Sequence, residues 1–144
     1  MQRVGFIGLG SQGAPMARRI IDAGYPTTLW ARRPETLTPF DQTAAATAES
    51  PAALAAVSDL VCVCVVDDDG VDAVMTGPDG VLTGLPRGAT VAVHSTVHPD
   101  TARRVADTVT SHGCALIDAP VSGGGPAATA GTLLLIAGGD QDRI

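Results

Sequence analysis

The chain has 144 residues, enough for one domain with a buried core and too few for a large two-domain enzyme. Hydrophobic residues make up 45% and charged residues 17%, which excludes a disordered tail and a solvated rod. A net charge of −6 and 3% aromatic content argue against unspecific binding to nucleic acid or an acidic membrane, and against a base-stacking platform.

Residues 3–8 (RVGFIG) are a short apolar run closed by Gly8, the pattern of a buried strand. In the following stretch, 9–24, Met16, Ile20 and Ile21 share one helical face and Arg18 and Arg19 another. Pro15 sits in the first turn of that helix and Gly24 stops it. Residues 27–31 (TTLWA) are a second strand, which completes a strand–helix–strand unit. Residues 34–40 read as a short turn or helix opened by Pro34, and 43–48 as a weak strand, since Ala is a poor strand former. A short Ala-rich helix spans 50–57, with Ser50 as N-cap and Pro51 at the first position. LVCVCVV at 60–66 is the strongest strand, followed by a helix over 68–76 and a turn-rich stretch at 77–88. A strand at 90–94, a helix at 99–112, and strands at 114–118 and 132–137 complete the pattern. Residues 140–144 read as the first turn of a further helix. Strands that alternate with helices and are apolar throughout predict a Rossmann-type, doubly wound α/β fold with a mainly parallel sheet.

All nine basic residues are Arg, and the chain contains neither Lys nor Asn. A mechanism that needs either residue must take it from elsewhere. The three cysteines, Cys62, Cys64 and Cys114, are odd in number, and two of them alternate inside an apolar run. They read as small buried hydrophobes in a reducing, cytoplasmic compartment, without a disulfide framework. His94, His98 and His112 show no metal-ligand spacing, so no metal is expected. No targeting or membrane segment is visible.

Five segments carry chemistry. Gly8-Leu9-Gly10-Ser11-Gln12-Gly13 is a G-x-G-x-x-G that follows a strand and opens a helix. Gly8 permits the tight turn, Gly10 lets the backbone approach a pyrophosphate, and Gly13 lets the helix pack close to the strand. About 20 residues further on, NAD-specific domains place an acid that binds the ribose 2′-OH. Here Ala31 is followed by Arg32 and Arg33, with the nearest acid, Glu35, beyond Pro34. Two guanidiniums suit a 2′-phosphate, which points to NADP with NAD as the lesser cofactor. Val65, Val66 and Asp67 end the strongest strand and border the expected cofactor crevice, while Asp67–Asp69 cap and charge the next helix. Ser95 and Thr96 end another strand and serve equally as cofactor hydroxyls or as helix caps before Pro99; His98 reads as a surface residue. The fifth segment, Asp118 to Pro126, runs from a strand into Ser122 and the glycines that follow. Its backbone N–H groups and one hydroxyl can reach an anion, or it is a bare turn. No G-x-S-x-G elbow supports a hydrolase.

Together these segments resemble the N-terminal half of the β-hydroxyacid dehydrogenases, the family of 3-hydroxyisobutyrate dehydrogenase, of several semialdehyde reductases and, more distantly, of 6-phosphogluconate dehydrogenase. The resemblance covers essentially the whole chain. Gly8 to Met16 matches the cofactor loop, and Trp30 to Arg33 stands where NADP-preferring members often read W-N-R-T. Ala31 replaces that Asn, which removes a hydrogen bond to the adenosine ribose. Ser95-Thr96 matches the Ser-Thr whose Thr lies by the nicotinamide ribose. Asp118 to Gly124, with Ala130-Gly131-Thr132-Leu133, matches D-x-P-V-S-G-G…A-G-T-L, the most specific of these motifs. The resemblance implies that Ser122, Gly123 and Gly124 hold a small-molecule carboxylate substrate and that hydride moves to or from NADP. It further implies an all-helical second domain that carries the proton-transfer Lys and joins a homo-oligomer. With no Lys here, no catalytic residue is expected in residues 1–144, which read as the NADP-binding domain of a longer enzyme. Imine reductases share the fold but do not normally keep the D-x-P-V-S-G-G stretch. A non-catalytic dinucleotide-binding module is the other reading.

Overall fold

A computed structural model describes all residues, Met1–Ile144. In chain order the strands are β1 (Val4–Ile7), β2 (Thr27–Trp30), β3 (Ala46–Thr47), β4 (Leu60–Val63), β5 (Thr90–Val93), β6 (Ala115–Asp118), β7 (Val121–Ser122), β8 (Leu134–Leu135) and β9 (Gly138–Gly139). The α-helices are α1 (Gly13–Asp22), α2 (Pro51–Ala56), α3 (Asp68–Thr76), α4 (Val81–Gly84), α5 (Pro99–Ser111) and α6 (Gly124–Ala130). Two 3₁₀ helices, Pro34–Phe40 and Gln141–Arg143, complete the set.

The main sheet runs β3-β2-β1-β4-β5-β6-β9. Its first six strands are parallel and β9 closes the edge antiparallel to β6. Strand order reverses between β1 and β4, which makes the carboxyl ends of these two strands the topological switch point.

Alternation along each strand feeds two cores. Ile7, Val61, Val63, Val91 and Val93 face one side and pack with Leu54, Val71, Met75, Val105 and Val109 from the helices. Phe6, Leu29, Cys62 and Ala92 face the other side and pack with Leu9, Ala17 and Phe40. Gly5 has no room for a side chain, because a Cβ there would collide with Leu54 and Ser58. Its bareness seats α2 against β1. At the amino end of the sheet, Arg3 and Asp59 form an exposed pair, with Nη2 to Oδ1 at 2.6 Å.

The helix signals hold at α2, where Ser50 Oγ accepts the Ala53 N–H at 3.0 Å, and at α3, where Asp67 Oδ1 accepts the Gly70 N–H at 2.8 Å. Before α5 the cap is neither Ser95 nor Thr96. His98 takes that role, with Nδ1 accepting the Asp100 N–H at 3.2 Å, and its own N–H is held by Asp68 at 2.9 Å.

Three expectations fail. The strand expected at 60–66 ends at Val63, because the Val65 N–H is claimed by Ser95 Oγ at 2.9 Å and no strand neighbour takes it. The glycine-rich stretch after Ser122 is not loop alone but opens helix α6, with Pro126 in its first turn and Gly131 at φ +72° ending it. The strand expected at 132–137 does not join the main sheet. Only Leu134 and Leu135 are extended, and they pair with Val121 and Ser122 in a separate two-stranded ribbon. Leu134, Leu135 and Ile136 are 48–63% exposed, an apolar surface open to water. No helix is long and apolar enough to cross a membrane.

Candidate functional site

The glycine loop turns directly off β1. Gly8 sits at φ +97°, a conformation that disfavours a side chain, and a Cβ there would strike the Cys64 carbonyl. The loop is therefore pressed against the exit of β4. Helix α1 begins with no side-chain cap, unlike α2, α3 and α5. Ala14 donates its N–H to the Gly10 carbonyl at 3.0 Å and Pro15 has none, so the Gln12 and Gly13 N–H groups are the ones left for another acceptor. Gly10 points into free space, with nothing within 4 Å of the position its Cβ would take.

A crevice of about 240 Å³ opens at this point, lined by Gly10, Ser11, Gln12, Gly13, Cys64, Val65, Val66, His94, Ser95 and Thr96. It brings together the loop between β1 and α1, the end of β4 and the end of β5. Of the residues expected to bind a cofactor, Gly10 to Gly13, Val65, Val66 and Thr96 meet here, while Gly8 lies behind the loop and Leu9 is buried in the core. Val66 is 94% exposed, an apolar side chain held in water at the mouth of the crevice. Asp67 stands just outside, engaged as the α3 cap. A larger groove of about 530 Å³ runs between α1 and α6, lined by residues such as Arg18, Arg19 and Thr129. It opens on the outer face of α1, whereas the smaller crevice lies at the carboxyl ends of β1, β4 and β5, where open α/β sheets bind their ligands, which makes it the candidate site.

Arg32 and Arg33 are exposed just past β2, and Ala31 is half-buried beside them. Neither guanidinium makes an ion pair within the chain. Because β2 neighbours β1 in register, both arginines stand on the same sheet edge as the glycine loop, on its β2 side.

Ser122, Gly123 and Gly124 are exposed at the junction of β7 and α6. Gly123 and Gly124 take φ +124° and +66°, which turns the chain sharply into the helix. The same turn brings Gly125 so close to the glycine loop that a Cβ on it would lie 2.7 Å from the Ser11 carbonyl oxygen. The Ser122 segment and the crevice are thus neighbours.

His94 is a residue that sequence reasoning passed over. It is 8% exposed, stacks on Phe6 with ring planes 14° apart, and Nδ1 lies 3.0 Å from the Ala119 carbonyl oxygen. Burial pushes its pKa below the ordinary histidine value, against a smaller upward pull from the Ala119 bond. The available signal was alternation: Ala92 in β5 and His94 just past its end fall on the face that meets Phe6. Burial raises the thiol pKa at Cys64 and pushes Cys62 up to about 12, so both remain protonated and inert. No three His, Cys, Asp or Glu side chains gather in metal-binding geometry.

A parallel sheet with an uncapped, glycine-opened helix at its switch point defines a dinucleotide-binding domain. A family model described as the NAD binding domain of 6-phosphogluconate dehydrogenase matches residues 3–144, and the chain belongs to that family. The chain is 40% identical over 143 residues to a probable 3-hydroxyisobutyrate dehydrogenase-like protein of Arabidopsis thaliana, covering 99% of this chain and 45% of that protein. Among solved structures, the 3-hydroxyisobutyrate dehydrogenase of Mycobacterium tuberculosis with L-serine superposes with a TM-score of 0.92 at 30% identity, over 99% of this chain and 48% of that one. Psf3 in complex with NADP+ and 2-OPP gives 0.92 at 32% identity, over 97% and 50%. An imine reductase from Pseudomonas sp. gives 0.84 at 27% identity, over 98% and 48%. The chain spans about half the length of the relatives it matches.

Proposed function

We propose that residues 1–144 are the NADP-binding domain of a β-hydroxyacid dehydrogenase of the 3-hydroxyisobutyrate dehydrogenase type. Bound NADP would supply or accept the hydride, and the substrate would be a small β-hydroxyacid or its semialdehyde. The observation that carries the reading is the sheet edge itself: an open Gly10, an uncapped α1, and two unpaired arginines where an NAD-specific domain has an acid. The first turn of α1 would hold the pyrophosphate, Arg32 and Arg33 the 2′-phosphate, Val65, Val66 and Asp67 the wall of the cleft, and Thr96 the nicotinamide ribose. Psf3 with NADP+ supports the cofactor, and the mycobacterial dehydrogenase with L-serine supports an amino- or hydroxyacid carboxylate in the substrate position. Imine reductases share the fold, but Asp118 to Gly124 favours a carboxylate substrate. The rest of the machinery, including the proton-transfer Lys and the surface for homo-oligomer assembly, is assigned to a helical domain outside this sequence. Three free cysteines suit a reducing, cytoplasmic setting.

Titration of the chain with NADP+ and NAD+ tests the cofactor. A charge-assisted hydrogen bond is worth roughly 1.5–3 kcal/mol, so Arg32→Ala should weaken NADP+ about tenfold to a hundredfold and leave NAD+ nearly unchanged. Equal losses for both, or tighter NAD+ binding by the native chain, would overturn the assignment. The substrate loop is tested in the complete enzyme. There Ser122→Ala should lower kcat/KM for the acid by a similar factor, from loss of one hydrogen bond to a charged group, with cofactor affinity retained. An unchanged kcat/KM would reduce the loop to a turn.

A further inference from the structure

Packing on Phe6 and the bond to Ala119 account for the His94 ring and its Nδ1 but leave its other nitrogen unexplained. Its Nδ1 lies 3.0 Å from the Ala119 carbonyl oxygen, which can only accept, so Nδ1 carries the ring proton and donates it. In the neutral ring Nε2 is then a bare acceptor. The structure gives Nε2 no protein partner, yet no buried side-chain nitrogen or oxygen in the chain lacks one. Nε2 therefore reaches open space, and the open space His94 lines is the crevice beside Gly10 to Gly13. A ring that is more than nine-tenths buried, stacked on Phe6 and tied at Nδ1 has little freedom to turn that lone pair elsewhere.

The fold decides what lies in front of it. The glycine loop takes the pyrophosphate, and the adenosine half runs toward the end of β2. The second nucleoside must run the other way, over the ends of β4 and β5, where His94 stands. We propose that His94 Nε2 accepts a hydrogen bond from an O–H or N–H of the nicotinamide nucleoside and fixes how that half of the dinucleotide lies over β4 and β5. The donor is either a ribose hydroxyl or the carboxamide N–H₂, and both need the same neutral acceptor. This rests on the dinucleotide reading of the crevice.

Two isosteric variants separate this role from a structural one. In His94→Asn the side-chain amide reaches the place of Nδ1 and keeps the bond to Ala119, but nothing replaces Nε2. In His94→Gln the amide reaches the place of Nε2. The chain is titrated calorimetrically with NADP+ and with 2′-phospho-ADP, which lacks the nicotinamide nucleoside. We expect His94→Asn to lose about five- to tenfold in NADP+ affinity, the effect of one hydrogen bond, with 2′-phospho-ADP affinity and Tm unchanged. His94→Gln should bind NADP+ within about twofold of the native chain, since its amide restores that bond. A loss that persists with the 3-acetylpyridine analogue of NADP+ assigns the ribose hydroxyl, and a loss that vanishes assigns the carboxamide.

Native NADP+ affinity in His94→Asn, or an equal loss for both ligands, overturns the proposal. If neither variant folds, nitrogen NMR of the native imidazole decides. A shift of the Nε2 resonance on adding NADP+, absent with 2′-phospho-ADP, upholds the contact, and an unmoved resonance overturns it. A native chain that binds no dinucleotide fails at an earlier step and overturns the reading of the crevice as well.

Discussion

Gly10→Ala should abolish dinucleotide binding while leaving the fold as stable as before. Its φ lies outside the left-handed region, and a methyl group added there meets nothing within 4 Å. Gly→Ala at such a site even stabilises by about 0.4–1 kcal/mol, because it restricts the unfolded chain. The same methyl occupies the space through which a pyrophosphate approaches the α1 amides. Losing two charge-assisted hydrogen bonds at roughly 1.5–3 kcal/mol each weakens binding on the order of 10²–10⁴-fold. Gly13→Ala should behave differently. Its Cβ would collide with the Gly8 carbonyl oxygen and press on the Phe6 ring at 3.2 Å, so backbone must move. Overpacking of this kind costs about 1–3 kcal/mol, which lowers Tm by roughly 3–10 °C. Thermal melts alongside cofactor titrations distinguish the two. If Gly10→Ala binds NADP+ normally, the loop does not hold the pyrophosphate.

Much of this site was legible because its signals are local. A buried parallel strand is a continuous apolar run, and β1, β4, β5 and β6 announce themselves in that way. The glycine loop is read from spacing, since each glycine answers a separate steric demand. What stayed hidden depends on contacts far apart in sequence. Val65 is as apolar as Val63, and only Ser95, 30 residues on, takes its N–H out of the strand. Helix α6 is written in residues that mark turns, and it exists because small side chains let it lie on α1, where Arg19 donates to the Thr129 carbonyl at 3.0 Å. Leu134 and Leu135 have the composition of a core strand, yet Gly131 and the turn at Ser122 draw them into a ribbon of their own. In the sequence His94 is weighed only as a metal ligand, and its burial is not visible there. Its burial follows only from the register of β5 against β4.

Residues 1–144 supplied with NADPH and a semialdehyde, or with NADP+ and 3-hydroxyisobutyrate, should bind cofactor and show no turnover above buffer. Hydride transfer to a carbonyl leaves an alkoxide that needs a proton, and a positioned acid contributes roughly 10²–10⁴-fold to the rate. The chain has no Lys, so the test is whether another group substitutes. His94 holds its single proton on Nδ1, facing the Ala119 carbonyl, and burial opposes the charged ring that a proton-shuttling histidine must form. Burial raises the Cys64 thiol pKa, so it holds its proton. Asp118 is raised by burial as well, but it lies among Val97, Thr101 and Val105 in the cleft beneath α5, apart from the crevice lining. Asp67 is engaged at the start of α3. Stopped assays at high chain concentration, with the complete enzyme as reference, supply the measurement. Turnover at saturating cofactor that disappears with Cys64→Ser or His94→Asn would place proton transfer inside this domain. Turnover that survives both would show that hydride transfer here proceeds with water as the acid.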